Sequence, residues 1–310
     1  MSALICGSFA FDSIMVFPDQ FKNHILPDKV HMLNVAFLVP DMRREFGGCA
    51  GNIAYNLKLL GDEPMPMGTV GTDFDSYAEW MDKHGINRKH IHVKQDHYTA
   101  QAFITTDMDD NQITAFHPGA MNLAHEIHIN EAENVKLAIV APDGRDGMIQ
   151  HAQQLHDAGI PFIFDPGQGL PMFNGDDLMT FAKQATYIAL NDYEAQLFQD
   201  RTGLSPYEIA SHVEALIITR GSKGSHIYTG GKRIDIPCAK AERVVDPTGC
   251  GDAYRAGLIH GIMHGKDWEE TGRIASLMGA IKIEQHGTQN HLFTANAFTE
   301  RYQNNFGPSL

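Results

Sequence analysis

Short, continuous apolar runs alternate along this chain with segments whose apolar positions recur at helical spacing. Residues 3–7, 137–141, 161–164, 187–190 and 216–219 are runs of the kind expected for strands covered on both faces. Ile53, Leu57 and Leu60 follow Asn52 at the period of a helix face, and Met148, Ala152 and Leu155 do the same before residues 161–164. This strand-then-helix rhythm predicts an α/β protein with a mostly parallel central sheet flanked by helices. Two regions break the rhythm. Residues 12–46 are rich in β-formers and proline. In residues 95–117, the stretches 102–106 and 112–116 flank the acidic, turn-prone Asp107-Met108-Asp109-Asp110-Asn111, which reads as a β-hairpin. Together they predict a small β-sheet inserted into the main body. No repeat, low-complexity tract or linker divides the chain, so residues 1–310 read as one domain.

Composition narrows the partners. The chain has 310 residues, 43% hydrophobic and 20% charged, with 24 basic against 38 acidic side chains for a net charge of −14. That balance excludes nonspecific binding to nucleic acid or an anionic membrane, both of which need a basic face. It leaves anionic small molecules open, because backbone amides can hold phosphate inside an acidic protein. Cys6, Cys49, Cys238 and Cys250 show no C-x-x-C spacing. Cys6 sits in an apolar run and reads as a buried thiol, so a reducing, cytoplasmic setting is expected. No apolar run reaches membrane-span length, and the first residues lack the basic region of a signal peptide.

The chemistry is concentrated in a few segments. Asp246-Pro247-Thr248-Gly249-Cys250-Gly251-Asp252 runs into a helical pattern. The amides of Gly249, Cys250 and Gly251 would then lie at a helix N-terminus, where the macrodipole is positive and an anion is welcome. A carboxylate beside such a site repels the anion unless it has a task. For Asp252 the natural task is to take a proton from a hydroxyl attacking a bound phosphoryl group. Asp12 follows the first strand, where open α/β sheets bind ligands, and can accept from two vicinal hydroxyls. Gly47-Gly48-Cys49-Ala50-Gly51-Asn52 combines glycines with an amide that can donate and accept. Asn191 and Glu194, three apart after a strand, would share a helix face. Thr219-Arg220-Gly221-Ser222-Lys223-Gly224 follows another strand. Taken singly, these last segments also read as glycine turns and N-caps. There is no G-x4-G-K-[ST] loop, third dinucleotide-binding glycine, G-x-S-x-G or H-E-x-x-H. Among 17 histidines, His260 and His264 share a helix face but have no evident third ligand, so they read as surface or satisfied core residues.

Taken together and in this order, the segments resemble the signatures of the ribokinase-like sugar and nucleoside kinases, the PfkB family. The resemblance implies a ribokinase-like fold whose small sheet, from about 12–46 and 95–117, is a lid. It implies Asp252 as general base, with Gly249, Cys250 and Gly251 as the anion hole. It implies Asp12, Gly47, Gly48 and Asn52 against the sugar hydroxyls, and Thr219, Gly221 and Gly224 along ATP. His286 and Gly287 would close over the adenine. Asn191 and Glu194 would hold hydrated Mg²⁺, with Asn191 also near the nucleotide and a monovalent cation as an optional further ion. Gly71-x-Asp73 fits as a structural turn.

Phe116-His117-Pro118-Gly119-Ala120 and Phe164-Asp165-Pro166-Gly167-Gln168 look like prokaryotic and archaeal nucleoside and adenosine kinase members. A nucleoside kinase is therefore expected, with Phe103, Phe116 and Met15 as candidates for an apolar wall against the base and His117 beside them. The alternatives are a sugar or sugar-phosphate kinase, with Lys22, Lys29, Arg43 and Arg44 as phosphate candidates, or a non-catalytic nucleoside-binding protein. The chain departs from the family at Cys250, usually Ala, and at Arg255, commonly apolar, which could pair with phosphate or with a carboxylate. Monomer and homodimer are both compatible with such a lid.

Overall fold

The computed structural model describes residues 2–25, 34–109 and 111–308. The strands are β1 (Ser2–Cys6), β2 (Ala10–Val16), β3 (Asp41–Gly47), β4 (Glu63–Val70), β5 (His90–Val93), β6 (Ala100–Thr106), β7 (Gln112–His117), β8 (Val135–Val140), β9 (Phe162–Phe164), β10 (Tyr187–Asn191), β11 (Ala215–Thr219), β12 (Ser225–Thr229) and β13 (Lys232–Ile236). The α-helices are α1 (Cys49–Leu59), α2 (Asp75–Lys83), α3 (Arg145–Asp157), α4 (Gly175–Gln184), α5 (Asp192–Thr202), α6 (Pro206–Ala210), α7 (Cys250–Met263), α8 (Trp268–Lys282) and α9 (Ala295–Phe306).

The main sheet has nine strands in the order β13-β12-β11-β10-β9-β8-β1-β4-β5. It is parallel from β11 to β5, and β12 and β13 extend it antiparallel. The alternation of side chains across each strand divides the core in two. Ala3, Ile5, Ile139, Ala189 and Ile217 pack with α1, α2 and α7, whereas Leu4, Cys6, Val140, Leu190 and Leu216 pack with α3, α4 and α5. Burial on both faces is why these strands read as unbroken apolar runs. Strand order reverses at β1, which has β4 on one side and β8 on the other. Ligand crevices form at such switch points, beyond the carboxyl ends of the strands.

The two irregular regions meet in a second, four-stranded sheet, β3-β2-β6-β7. β2 and β6 are parallel there, and the outer pairs are antiparallel. Lys29 and Asp110, named above, lie outside the described residues. Asp73 joins the two sheets by accepting from the Thr99 amide at 2.7 Å and from Gln101 Nε2 at 2.9 Å. All four cysteines are free, and Cys6 is buried as expected. Among the described residues, no helix is long and apolar enough to cross a membrane.

Candidate active site

The α7 N-terminus is the centre of the site. Gly249 is its N-cap in the left-handed conformation, φ 77° and ψ 1°, a geometry that costs a side chain-bearing residue. Neither the Gly249 nor the Gly251 amide has a hydrogen-bond partner among the described residues, and Gly251 is exposed. The Cys250 amide differs from the sequence expectation: it donates to the Pro247 carbonyl at 3.2 Å, closing the turn that aims its neighbours. The open amides at this helix end are therefore those of Gly249 and Gly251.

Asp252, half-buried in the first turn of α7, faces α1. Asn52 Nδ2 donates to Asp252 Oδ2 at 2.8 Å, and Asn52 Oδ1 accepts from Gln289 Nε2 at 2.9 Å. Both ends of the Asn52 amide are engaged within the protein, and the residue orients Asp252. Gln289 is itself fixed: its amide nitrogen reaches Tyr77 Oη at 2.6 Å, and its carbonyl accepts from Trp80 Nε1 at 3.0 Å. Tyr77 Oη donates to the Gly47 carbonyl at 2.8 Å. Gly51 makes room for this ring, since a Cβ there would lie 1.9 Å from Tyr77 Oη. Burial pushes the Asp252 carboxyl up to about 6, against the lowering effect of the Asn52 bond, with the Asp165 charge adding to the rise.

Asp12 points across the crevice from β2. It lies over Gly47, where a Cβ would come within 2.7 Å of Asp12 Oδ2. Gly48 follows with φ 85° as the N-cap of α1. Burial, then the charges of Glu45 and Asp246, raises the Asp12 carboxyl to about 6 as well. A general base must be ionised to work, and a hydroxyl acceptor is stronger as a carboxylate than as a carboxylic acid. As pH falls through about 6, the free enzyme loses both charges together. We expect kcat/KM to plateau above that region and to fall below it more steeply than one titration allows. A profile that stays flat to pH 5 would contradict the assignment.

Arg255 stands one turn beyond Asp252 and resolves the choice posed above in favour of a carboxylate. It grips Asp165 at the end of β9 with two bonds of 3.0 Å, both side chains being almost fully buried. Glu194 and Asp252 lie in the same field, and burial followed by the Asp165 charge raises the Glu194 carboxyl. Three carboxylates around one guanidinium leave excess negative charge here, a setting suited to a hard divalent cation. Asn191 is the N-cap of α5, and its amide and side chain bond Glu194 at 2.7–2.8 Å in a capping box.

The 282–289 segment closes the site from behind. The Gly287 amide donates to Asp246 Oδ2 at 2.9 Å, and Thr288 Oγ1 donates to the Phe46 carbonyl at 2.6 Å. Lys282 is wholly buried, and its ammonium donates to the Asp246 carbonyl at 2.8 Å and to the Gln285 carbonyl at 3.1 Å. His286 is exposed beside this loop. Thr219 ends β11, one strand over from Asn191, and Gly221 opens an exposed turn at φ 54°. Gly224 is buried against the Ile236 carbonyl, a packing position. In the small sheet, cross-strand partners share a face. The pairs Asp12–Ala102 and Ala102–Phe116 put Phe116 on the Asp12 face. Phe103 pairs with Ser13, and His117 with Gln101, so both lie on the opposite face with Met15. An apolar wall built within one chain therefore uses Phe116 and not Phe103, Met15 or His117.

The sequence profile of the pfkB family carbohydrate kinases matches residues 10–295. The chain belongs to the pfkB family. Its fold is ribokinase-like, and it is a phosphotransferase that acts on a hydroxyl group. It is 34% identical over 276 residues to a nucleoside kinase of Methanocaldococcus jannaschii, covering 87% of this chain and 89% of that one. The Burkholderia thailandensis nucleoside kinase in complex with inosine is 55% identical, with a TM-score of 0.90 and 98% of each chain covered. The same Burkholderia enzyme in complex with ADP-inosine is 57% identical with a TM-score of 0.87, covering 98% of this chain and 96% of that one.

Sequence reading named Asp165 only within a nucleoside-kinase-like segment, gave Gln289 no role of its own, and missed Lys282, Tyr77 and Trp80. Asp165 alone had a signal, as a carboxylate directly after a buried apolar run. The others are single polar or aromatic residues brought in from more than 20 positions away.

Proposed function

We propose that this pfkB kinase transfers the γ-phosphoryl group of ATP to the 5′-hydroxyl of a ribonucleoside. The observation that carries the reading is Asp252, held by Asn52 beside the unpartnered amides of Gly249 and Gly251. Asp252 takes the proton of the attacking hydroxyl, and the two amides stabilise charge on the transferring group. Catalysis then rests on positioning and electrostatics, as is general for phosphoryl transfer. Asp12, at the back of the crevice, accepts from the ribose hydroxyls, and the backbone of Gly47 and Gly48 lets the sugar approach. ATP lies along Thr219 and Gly221 toward His286 and Gly287. Mg²⁺, held through water by Asn191 and Glu194, would supply charge neutralisation at the phosphates. The small sheet acts as a lid that excludes water from the transfer.

A nucleoside is favoured over a phosphorylated sugar by charge. Of the basic residues suggested for a sugar phosphate, Lys22 lies 3.0 Å from Asp109, Arg43 3.5 Å from Glu45, and Arg44 3.9 Å from Asp73. Each is already balanced by a carboxylate. Phe116 offers an exposed ring on the Asp12 face for a base. The relatives named nucleoside kinases, and the inosine complexes among them, support the same substrate class.

The test follows ADP release with inosine and with 2′-deoxyinosine. Asp12→Ala should lower kcat/KM for inosine by roughly 10-fold or more, since charge-assisted hydrogen bonds are worth about 1.5–3 kcal/mol. The loss should be clearly smaller for the deoxynucleoside, which lacks one of the two hydroxyls. Equal losses on both substrates would remove Asp12 as the hydroxyl acceptor.

A further inference from the structure

The α1–β4 turn and the last turn of α7 meet on the side of the main sheet opposite the site's strand ends. Asp62 follows Gly61 in that turn, pinned by its amide bond to the Leu57 carbonyl at 3.1 Å. Its carboxylate is nearly buried and receives two imidazoles from α7. His260 Nδ1 lies 2.7 Å from Asp62 Oδ2, and His264 Nε2 lies 2.9 Å from Asp62 Oδ1. The sequence showed the two histidines on one helix face without a third ligand; the fold supplies it from some 200 residues away.

We propose that Asp62, His260 and His264 form a binding site for a borderline divalent transition-metal ion, of which Zn²⁺ is the natural occupant. One oxygen and two ring nitrogens, one from each residue, lie within 4.8 Å of one another. Ions bound at about 2.0–2.2 Å in tetrahedral geometry need donors roughly 3.3 Å apart. Small rotations of the two imidazoles open the observed contacts to that spacing, and each ring then carries its proton on the nitrogen facing away from the ion. The donor set of two imidazoles and one carboxylate selects zinc or cobalt over magnesium. The negative end of the α7 dipole adds to the attraction for a cation. Asp62 and His260 are held firmly by packing, with side chains 7% and 17% exposed, whereas His264 is 49% exposed and leaves an entry path and an open coordination position. A bound ion would clip the end of α7 to the end of α1, the two helices whose other ends carry Asp252 and Asn52.

The test uses the full chain without any polyhistidine tag. Zn²⁺ is titrated against a chromophoric indicator, Co²⁺ is followed by its visible absorption, and melting is recorded with and without Zn²⁺. The proposal expects saturable binding of one ion, a raised Tm and a cobalt band, all unaffected by excess Mg²⁺. His264→Ala, at an exposed position, should weaken binding by about 10–100-fold or more and abolish the cobalt band. Asp62→Asn should do the same while keeping the shape of the turn. Absence of binding would mean that the triad is a hydrogen-bonded clamp only. Binding unchanged in both variants would put the ion on other histidines. Either result overturns the site.

Discussion

Asp252→Asn should lower kcat by roughly 10²-fold or more, the scale of a lost general base, with little change in the nucleoside KM. The substitution is close to isosteric, and its carbonyl can still accept from Asn52 Nδ2. It also removes a partly buried charge whose carboxyl burial already raises to about 6. Melting temperature should therefore not fall, which separates a chemical loss from a folding defect. Steady-state kinetics on inosine with saturating Mg·ATP is the measurement. A kcat within a few-fold of the parent would take the proton-abstracting role away from Asp252.

The second large effect is on stability. Arg255→Met removes the only guanidinium bonded to Asp165 among the described residues, leaving an almost fully buried carboxylate without that partner. Breaking one half of a buried pair costs about 3–5 kcal/mol. The urea midpoint should drop accordingly, and Asp165→Asn combined with Arg255→Met should regain most of the loss, because the orphaned charge is gone. Arg255 also opposes the rise of the Asp252 carboxyl, so its loss should carry the acid limb of kcat/KM to higher pH. An Arg255→Met variant as stable as the parent would show that Asp165 finds another partner or protonates at no cost.

The contrast between what was and was not readable has a physical basis. Strands buried on both faces announce themselves as apolar runs, so β1, β8, β10 and β11 and the parallel sheet were legible. So was the placement of residues set by local geometry: Gly249 and Asp252 on one turn, and Asn191 with Glu194 across a capping box. What escaped was set by long-range pairing. Nothing local shows that Gln289 and Asp252, more than 190 residues away, bond the two ends of the Asn52 amide. Cys250 was read as a third open amide because the tight Pro247 turn appears only once the loop is folded. Phe103 and Phe116 looked equivalent until the strand register put them on opposite faces, and in a sheet a shift of one residue reverses every side chain. Lys282 carried no signal at all, since a buried lysine in a helix reads like any solvated one until its carbonyl partners are seen.

The decisive measurement for nucleoside phosphorylation is ADP release by the purified protein with Mg·ATP and, separately, inosine, adenosine, guanosine, cytidine, ribose, fructose and fructose 6-phosphate, with the product identified by phosphorus NMR. Turnover is expected with nucleosides, one 5′-monophosphate forming per ADP, with no comparable rate on the free or phosphorylated sugars. Efficient phosphorylation of a sugar with none of a nucleoside would contradict this expectation.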